Sequence, residues 1–145
     1  MTDRVLVALD GSEQATTARE YAIAEYPEAT LVLIHVIDPI EAGYSLGAPA
    51  GPAHSEEWYE ESKAAAESLF ATTRDEAEAV DFAGDIETVI EVGRPARMIV
   101  EYTEDNEIDH VIMGSHGRSG VTRVLLGSVA ETVVRRSPVP VTVVR

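Results

Sequence analysis

The sequence contains no cysteine, which excludes disulfides, thiolate metal sites and cysteine nucleophiles. Lysine is nearly absent too, since Lys63 stands alone among 11 basic residues and the other ten are arginine. Against 26 acidic residues this leaves a formal net charge of −15. Phosphate backbones are bound by neutralising them with clustered Lys and Arg, so nucleic acid is a poor partner for such a surface, and an anionic membrane is disfavoured for the same reason. No apolar run approaches the ~20 residues of a membrane span, and the N-terminal MTDRVLVALDGS lacks a basic region followed by a long apolar stretch. We therefore expect a soluble, cytoplasmic protein. Aromatic residues make up 6% of the chain, but 45% of the 145 residues are hydrophobic, enough for one compact domain over residues 1–145 with no internal linker.

What is present is a regular alternation. Val5–Leu9 (VLVAL), Thr30–Ile37 (TLVLIHVI), Ile86–Val92 (IETVIEV), His110–Met113 (HVIM) and Val139–Val144 (VPVTVV) read as five strands. Most are apolar at successive positions, the pattern of parallel strands buried on both faces. The third alternates, with Glu87 and Glu91 on one face, and belongs nearer an edge. Pro140 cannot donate to a ladder and puts the last strand at an edge or an interface. Between the strands lie helices. Ser12 can cap one running to about Glu25, with positions 15, 18, 22 and 23 inward. A long one follows Ser55 to about Val80, with Trp58, Ala65, Leu69 and Ala77 inward. Pro95 opens a third, carrying Met98, Ile99 and Tyr102, and Ser128 opens a fourth that ends at Arg136. Strand–helix repetition of this kind implies a three-layer α/β/α sandwich with right-handed crossovers. Asp38–His54, with three prolines and three glycines, does not fit the alternation and reads as a surface loop, either simply variable or a lid or partner contact.

Ligands of open parallel sheets bind beyond the carboxyl ends of the strands. Asp10-Gly11-Ser12, Val36–Asp38 and the stretch from Gly114 should meet there. The last reads Gly114-Ser115-His116-Gly117-Arg118-Ser119-Gly120 and continues to Gly127-Ser128 at the fourth helix. Glycines permit positive φ and close approach, so that successive N–H groups can converge on an anion. The N-terminus of a helix adds free amides and a positive dipole end. Residues 114–145 hold five arginines and one glutamate, a net +4, so the rest of the chain carries −19. The bland alternative, a tight connection, stays open, because GxxG alone is weak. The stretch is neither a Walker A loop nor a dinucleotide fingerprint.

Gly114-x2-Gly117-x9-Gly127-Ser128, between HVIM and VPVTVV, resembles the glycine signature of the universal stress protein family. The likeness extends through VLVALDGSEQA, LIHVID, EVGRPARMIVEYTEDNEIDHVIMGSHGRSGV and LLGSVAETVVRRSPVPVTVVR. It implies a five-stranded parallel sheet in order 3-2-1-4-5, of the adenine nucleotide alpha hydrolase-like kind, and the ATP-binding branch of the family. On that resemblance Gly114, Gly117, Gly127 and Ser128 would hold ribose and phosphates. Backbone of Ser115, His116, Arg118, Ser119, Gly120, Val129 and Ala130 would contribute. Asp10 would lie on the ribose and metal side, with Mg2+ or Mn2+ accompanying the nucleotide. Val36 would meet the adenine edge, and Ala8 would line the same cleft. A homodimer through the last strand (Val139, Val141, Val143) is implied as well, and an apolar edge gives it a physical reason.

No Ser-His-Asp or metal-ligand spacing accompanies His116. His35 reads as a satisfied core histidine, Trp58 and Tyr59 as packing, His110 as a partly exposed strand start, and Glu56, Glu57, Glu60 and Glu61 as a solvated helix face. The expectation is an ATP-binding regulatory or stress-response protein with slow or no hydrolysis. The alternative is a nucleotide-independent dimeric interaction module. An adenylating enzyme of the related ATP-pyrophosphatase fold would need a Ser-Gly-Gly-x-Asp-Ser loop where this chain has Leu9-Asp10-Gly11-Ser12-Glu13-Gln14.

Acidity of this degree suits a salt-rich, halophilic cytoplasm, where a Debye length of about 3 Å at 1 M screens self-repulsion. The melting temperature should therefore climb as KCl is raised. Equal stability in low and high salt would remove that reading.

Overall fold

The computed structural model of the protein describes residues 3–40, 56–115 and 126–145. Along the chain these form β1 (Arg4–Ala8), α1 (Glu13–Glu25), β2 (Thr30–Ile37), α2 (Glu56–Ala79), β3 (Asp85–Val92), α3 (Pro95–Asp105), β4 (His110–Gly114), α4 (Ser128–Arg136) and β5 (Val141–Val144). All five strands are parallel, in the expected order β3-β2-β1-β4-β5. The register sets Val5 between Leu31 and His110, and Val111 beside Val141.

The central strand explains the layering. Val5, Leu6 and Val7 are each 0% exposed, and successive side chains of a strand point to opposite faces, so both faces must be covered. Val5, Val7, Leu31, Leu33 and Ile112 meet α1 and α2 through Ala18, Ala22, Ile23, Ala66, Phe70 and Ala77. Leu6, Val32, Ile34, Val111 and Met113 meet α3 and α4 through Ile99, Val100, Ala130 and Val133. Each fully buried Val, Leu or Ile contributes about 1.5–3 kcal/mol relative to exposure. The sheet edges are weaker ground. On β3, Asp85, Glu87 and Thr88 are exposed, and no residue of β3 or β5 is fully buried. Charge on an edge strand opposes unwanted pairing.

Several expected boundaries shift. β4 extends to Gly114. β5 begins at Val141, because Pro140 can only accept: its carbonyl takes the Val111 amide at 3.0 Å. On α2 the inward residues are Ala66, Phe70, Thr73 and Ala77, and Ala65 is exposed. A one-residue error on a helix turns the side chain by about 100°, enough to move Ala65 out of the core. Trp58 and Leu69 are half-buried. Of the expected loop at Asp38–His54, residues 41–54 lie outside the described residues. α1 also buries a charge that its sequence pattern did not announce. Arg19 is 7% exposed and donates from Nε and Nη2 to Glu76 of α2, both at 2.8 Å. Such a two-point pair clamps the helices in one relative position, since either charge left alone there would be costly.

α1 approaches the end of β4 closely, through the alanines of its inner face. A Cβ added at Gly114 would stand 2.7 Å from Gln14 Cβ and 2.8 Å from the Gln14 carbonyl carbon. Glycine is required here because a helix lies against the backbone. Gly114→Ala should lower the unfolding free energy by about 2 kcal/mol, the scale of overpacking, read as a lower urea midpoint. An unchanged midpoint would mean that α1 yields without cost.

Candidate functional site

Parallel strands bring all their carboxyl ends to one edge. β1 sends its chain to β2 on one side while β4 lies on the other, so the strand order reverses between β1 and β4, where open α/β sheets form a crevice. Three of the expected segments reach that edge.

The first is the turn after β1. Gly11 has φ +82°, a conformation that favours glycine. The Asp10 carboxylate accepts the Ser12 amide at 2.9 Å. Ser12 Oγ in turn accepts the Ala15 amide at 3.1 Å, capping α1. One oxygen of Asp10 is thus committed to shaping the turn, which fixes where the carboxylate sits.

The second is the end of β2. Ala8 and Val36 both pack against the cluster on the α3–α4 face of the sheet, as do Val129 and the 2%-exposed Ala130. Four residues far apart in sequence therefore share one apolar floor. His35 is on the opposite face of its strand and half-buried, with its Nδ1 2.7 Å from the Leu9 carbonyl oxygen, which accepts from it.

The third is the join between β4 and α4. Buried Ser115 donates its amide to Val144 O at 2.8 Å, and its own carbonyl accepts the Gly127 amide at 2.7 Å. These two bonds seat the start of α4 beside the ends of β4 and β5. Gly127 is the N-cap, at φ −67° and ψ 162°, and supplies no side-chain cap. The first amide used inside the helix is that of Glu131, to Gly127 O at 2.9 Å. The N–H groups of Ser128, Val129 and Ala130 precede it and have no intrahelical acceptor. Ser128 is exposed. This end of the helix can therefore offer an anion three amides, a hydroxyl and the positive end of the dipole.

His116, Gly117, Arg118, Ser119 and Gly120 lie outside the described residues. Among the described residues no three His, Asp or Glu side chains converge on a metal site; Asp10 enters as a single carboxylate. His110 is at the far end of β4 from Gly114. Its Nε2 is 2.6 Å from Thr142 Oγ1, its ring tilts against Tyr26 with centroids 5.6 Å apart, and burial pushes its pKa down.

Two residues near the site escaped the sequence reading. Arg94 is the N-cap of α3 and Arg97 is in its first turn, and this turn has no acidic residue. Both line an open groove between α3 and α4 that also includes Ser128 and Val129. The readable signal was the Gly93-Arg94-Pro95-Ala96-Arg97 sequence itself, with two cations at the positive end of a helix. Only the packing of α3 against α4 brings them beside Ser128.

The universal stress protein family profile matches residues 1–145. A universal stress protein of Methanocaldococcus jannaschii is 33% identical over 157 aligned positions, covering 100% of this chain and 96% of that protein. Among solved structures, a protein of the same organism superimposes with a TM-score of 0.83 at 32% identity, covering 99% of this chain and 96% of that one. A universal stress protein of Lactobacillus plantarum gives 0.79 at 27%, covering 99% and 98%. Another, solved in complex with cAMP, gives 0.70 at 30% identity, covering 99% and 97%. A profile match spanning every residue, and relatives of this identity aligned along nearly their whole length, lead to one conclusion: the chain belongs to the universal stress protein family.

Proposed function

We propose that this is a regulatory protein that binds ATP, with turnover slow or absent. The observation that carries the reading is the uncapped start of α4, with three amides lacking intrahelical acceptors, held by the Ser115–Gly127 bond at the edge where the strand order reverses. That donor set fits phosphate oxygens. The Asp10 carboxylate is acceptor-only when ionised and fits a ribose hydroxyl rather than a phosphate. Ala8 and Val36 offer an apolar surface to a base. Gly114 and Gly127 frame the cradle, and Gly117 with its neighbours Ser115, His116, Arg118, Ser119 and Gly120 would complete it. The family member solved with cAMP supports an adenine nucleotide as the ligand class. Mg2+ or Mn2+ would come with the nucleotide, with Asp10 as its one protein-side carboxylate, and would supply charge neutralisation at the phosphates.

Fast hydrolysis needs a placed water, a base and donors aimed at charge that develops in the transition state. Asp10 already gives one oxygen to the Ser12 amide, and we assign no other base to the site. The output is therefore the bound state itself, read by a partner in the cytoplasm as part of a stress response. Among the described residues no helix is long and apolar enough to cross a membrane. Calorimetry with ATP and Mg2+ should give saturable heat that Gly117→Val and Gly127→Val abolish. Absence of heat in the wild type would favour the nucleotide-independent interaction module instead.

We also propose a homodimer through β5. It is an edge strand, and Val139, Val141 and Val143 are half-buried in the single chain. Two such edges related by a two-fold axis form a self-complementary interface. Light scattering at micromolar concentration should report twice the chain mass, and a monomer would remove the claim.

A further inference from the structure

The two edges of the sheet differ. β5 is four residues long and follows Pro140. β3 has eight residues, Asp85–Val92, contains no proline and pairs with β2 at every one of them in unbroken register. Among the described residues no strand pairs with its other side. We infer that the free edge of β3 is a docking site for an extended segment of a protein partner in which Lys or Arg alternate with apolar residues.

The backbone of β3 is the template. The Asp85 amide donates to Ala29 O at 3.2 Å and the Gly93 amide to Ile37 O at 2.9 Å. A parallel strand alternates the side to which successive residues bond, so the odd-numbered residues turn their N–H and C=O groups to β2. Ile86, Thr88, Ile90 and Val92 turn theirs outward. Such a row of donors and acceptors, straight and without a bulge, accepts an added strand through main-chain hydrogen bonds.

Side chains choose the partner. Asp85, Glu87, Val89 and Glu91 are on the α3 side of the strand, and Ile86, Thr88, Ile90 and Val92 are on the α2 side. Asp85 and Glu87 are exposed and Glu91 is half-buried. The Glu87 carboxylate is 3.2 Å from Arg4 and 49% exposed, a weak surface pair that leaves room for a second cation. On the α2 side Ile86 and Ile90 are half-buried against the core, and Val92 is 46% exposed. A strand laid beside β3 sets every second side chain next to the carboxylates and the others next to the apolar row. Opposite charges and apolar pairs across neighbouring strands attract, and like charges repel. The occupant is therefore a basic, alternating segment, and the same carboxylates oppose pairing with the β3 of a second copy. The acidic body of the chain also draws a basic segment from longer range.

Fluorescence anisotropy on the full chain tests the edge with a labelled peptide of alternating lysine and valine, eight residues long like β3. A second peptide of the same sequence, N-methylated at every amide, keeps the charge and lacks the donors. The wild type should bind the first saturably and the second at least about tenfold more weakly. Thr88→Pro removes one outward N–H and none of the bonds to β2, and should weaken the first peptide by about tenfold. Asp85→Asn/Glu91→Gln should weaken it through charge. Glu56→Gln/Glu57→Gln, at the start of α2, should leave it unchanged, and thermal melts establish that each variant is folded. No binding by the wild type would overturn the inference, as would equal binding of the two peptides. An affinity that either Thr88→Pro or Asp85→Asn/Glu91→Gln, once shown to be folded, leaves intact would do the same. A matching loss in Glu56→Gln/Glu57→Gln would also overturn it, assigning the binding to the general field.

Discussion

The structure depends on the burial of β1 from both sides. Three successive residues with no exposure, Val5, Leu6 and Val7, cannot be satisfied by a one-sided layer. They require α1 and α2 on one face and α3 and α4 on the other. Parallel strands joined through those helices all end at the same edge, and a central strand whose neighbours lead in opposite directions leaves a crevice there. The location of the site is thus a by-product of how the core is covered. The chemistry at that edge is added by short segments that need not contribute to the core.

Two local devices shape that edge. The Asp10-Gly11-Ser12 turn uses a positive φ and two side-chain caps to fix a carboxylate and start α1. Ser115 bonds to both Val144 and Gly127, so α4 starts beside the strand ends. A glycine N-cap leaves the first amides of α4 without a side-chain acceptor. The cost is small, a few tenths of a kcal/mol against a Ser, Asp or Asn cap. The missing cap is understandable if an anion supplies the acceptors. Gly114, which the motif presents as part of the same cradle, is constrained by something else as well, because α1 lies where its Cβ would be.

Much of this was legible along the chain. Successive apolar residues in VLVAL and TLVLIHVI announced two-sided burial. Ser12 and Ser128 marked helix starts, and Glu87 and Glu91 marked an edge. The misreadings share a physical origin. Ala65 and Ala66 are chemically identical, so local pattern gives no means of choosing the inward one, and the sheet decides. Pro140 was read as a strand residue because its neighbours are valines, but it lacks the N–H that a ladder position needs. Arg19 is on a helix face that composition would leave in water. It is buried because Glu76, 57 positions away, meets it at two points.

The sequence by itself determined the fold class and the glycine-rich motif, since these follow from periodicity and spacing within short segments, and the family through the resemblance that those segments carry. It also divided the charge into an acidic body and a cationic C-terminal part. Only the tertiary structure decided which groups share a surface. Ala8, Val36, Val129 and Ala130 join one apolar cluster, and Arg94 and Arg97 line one groove with Ser128, because two helices pack on the same side of one sheet. Contacts between residues this far apart depend on how elements pack, which the spacing along a single chain does not encode.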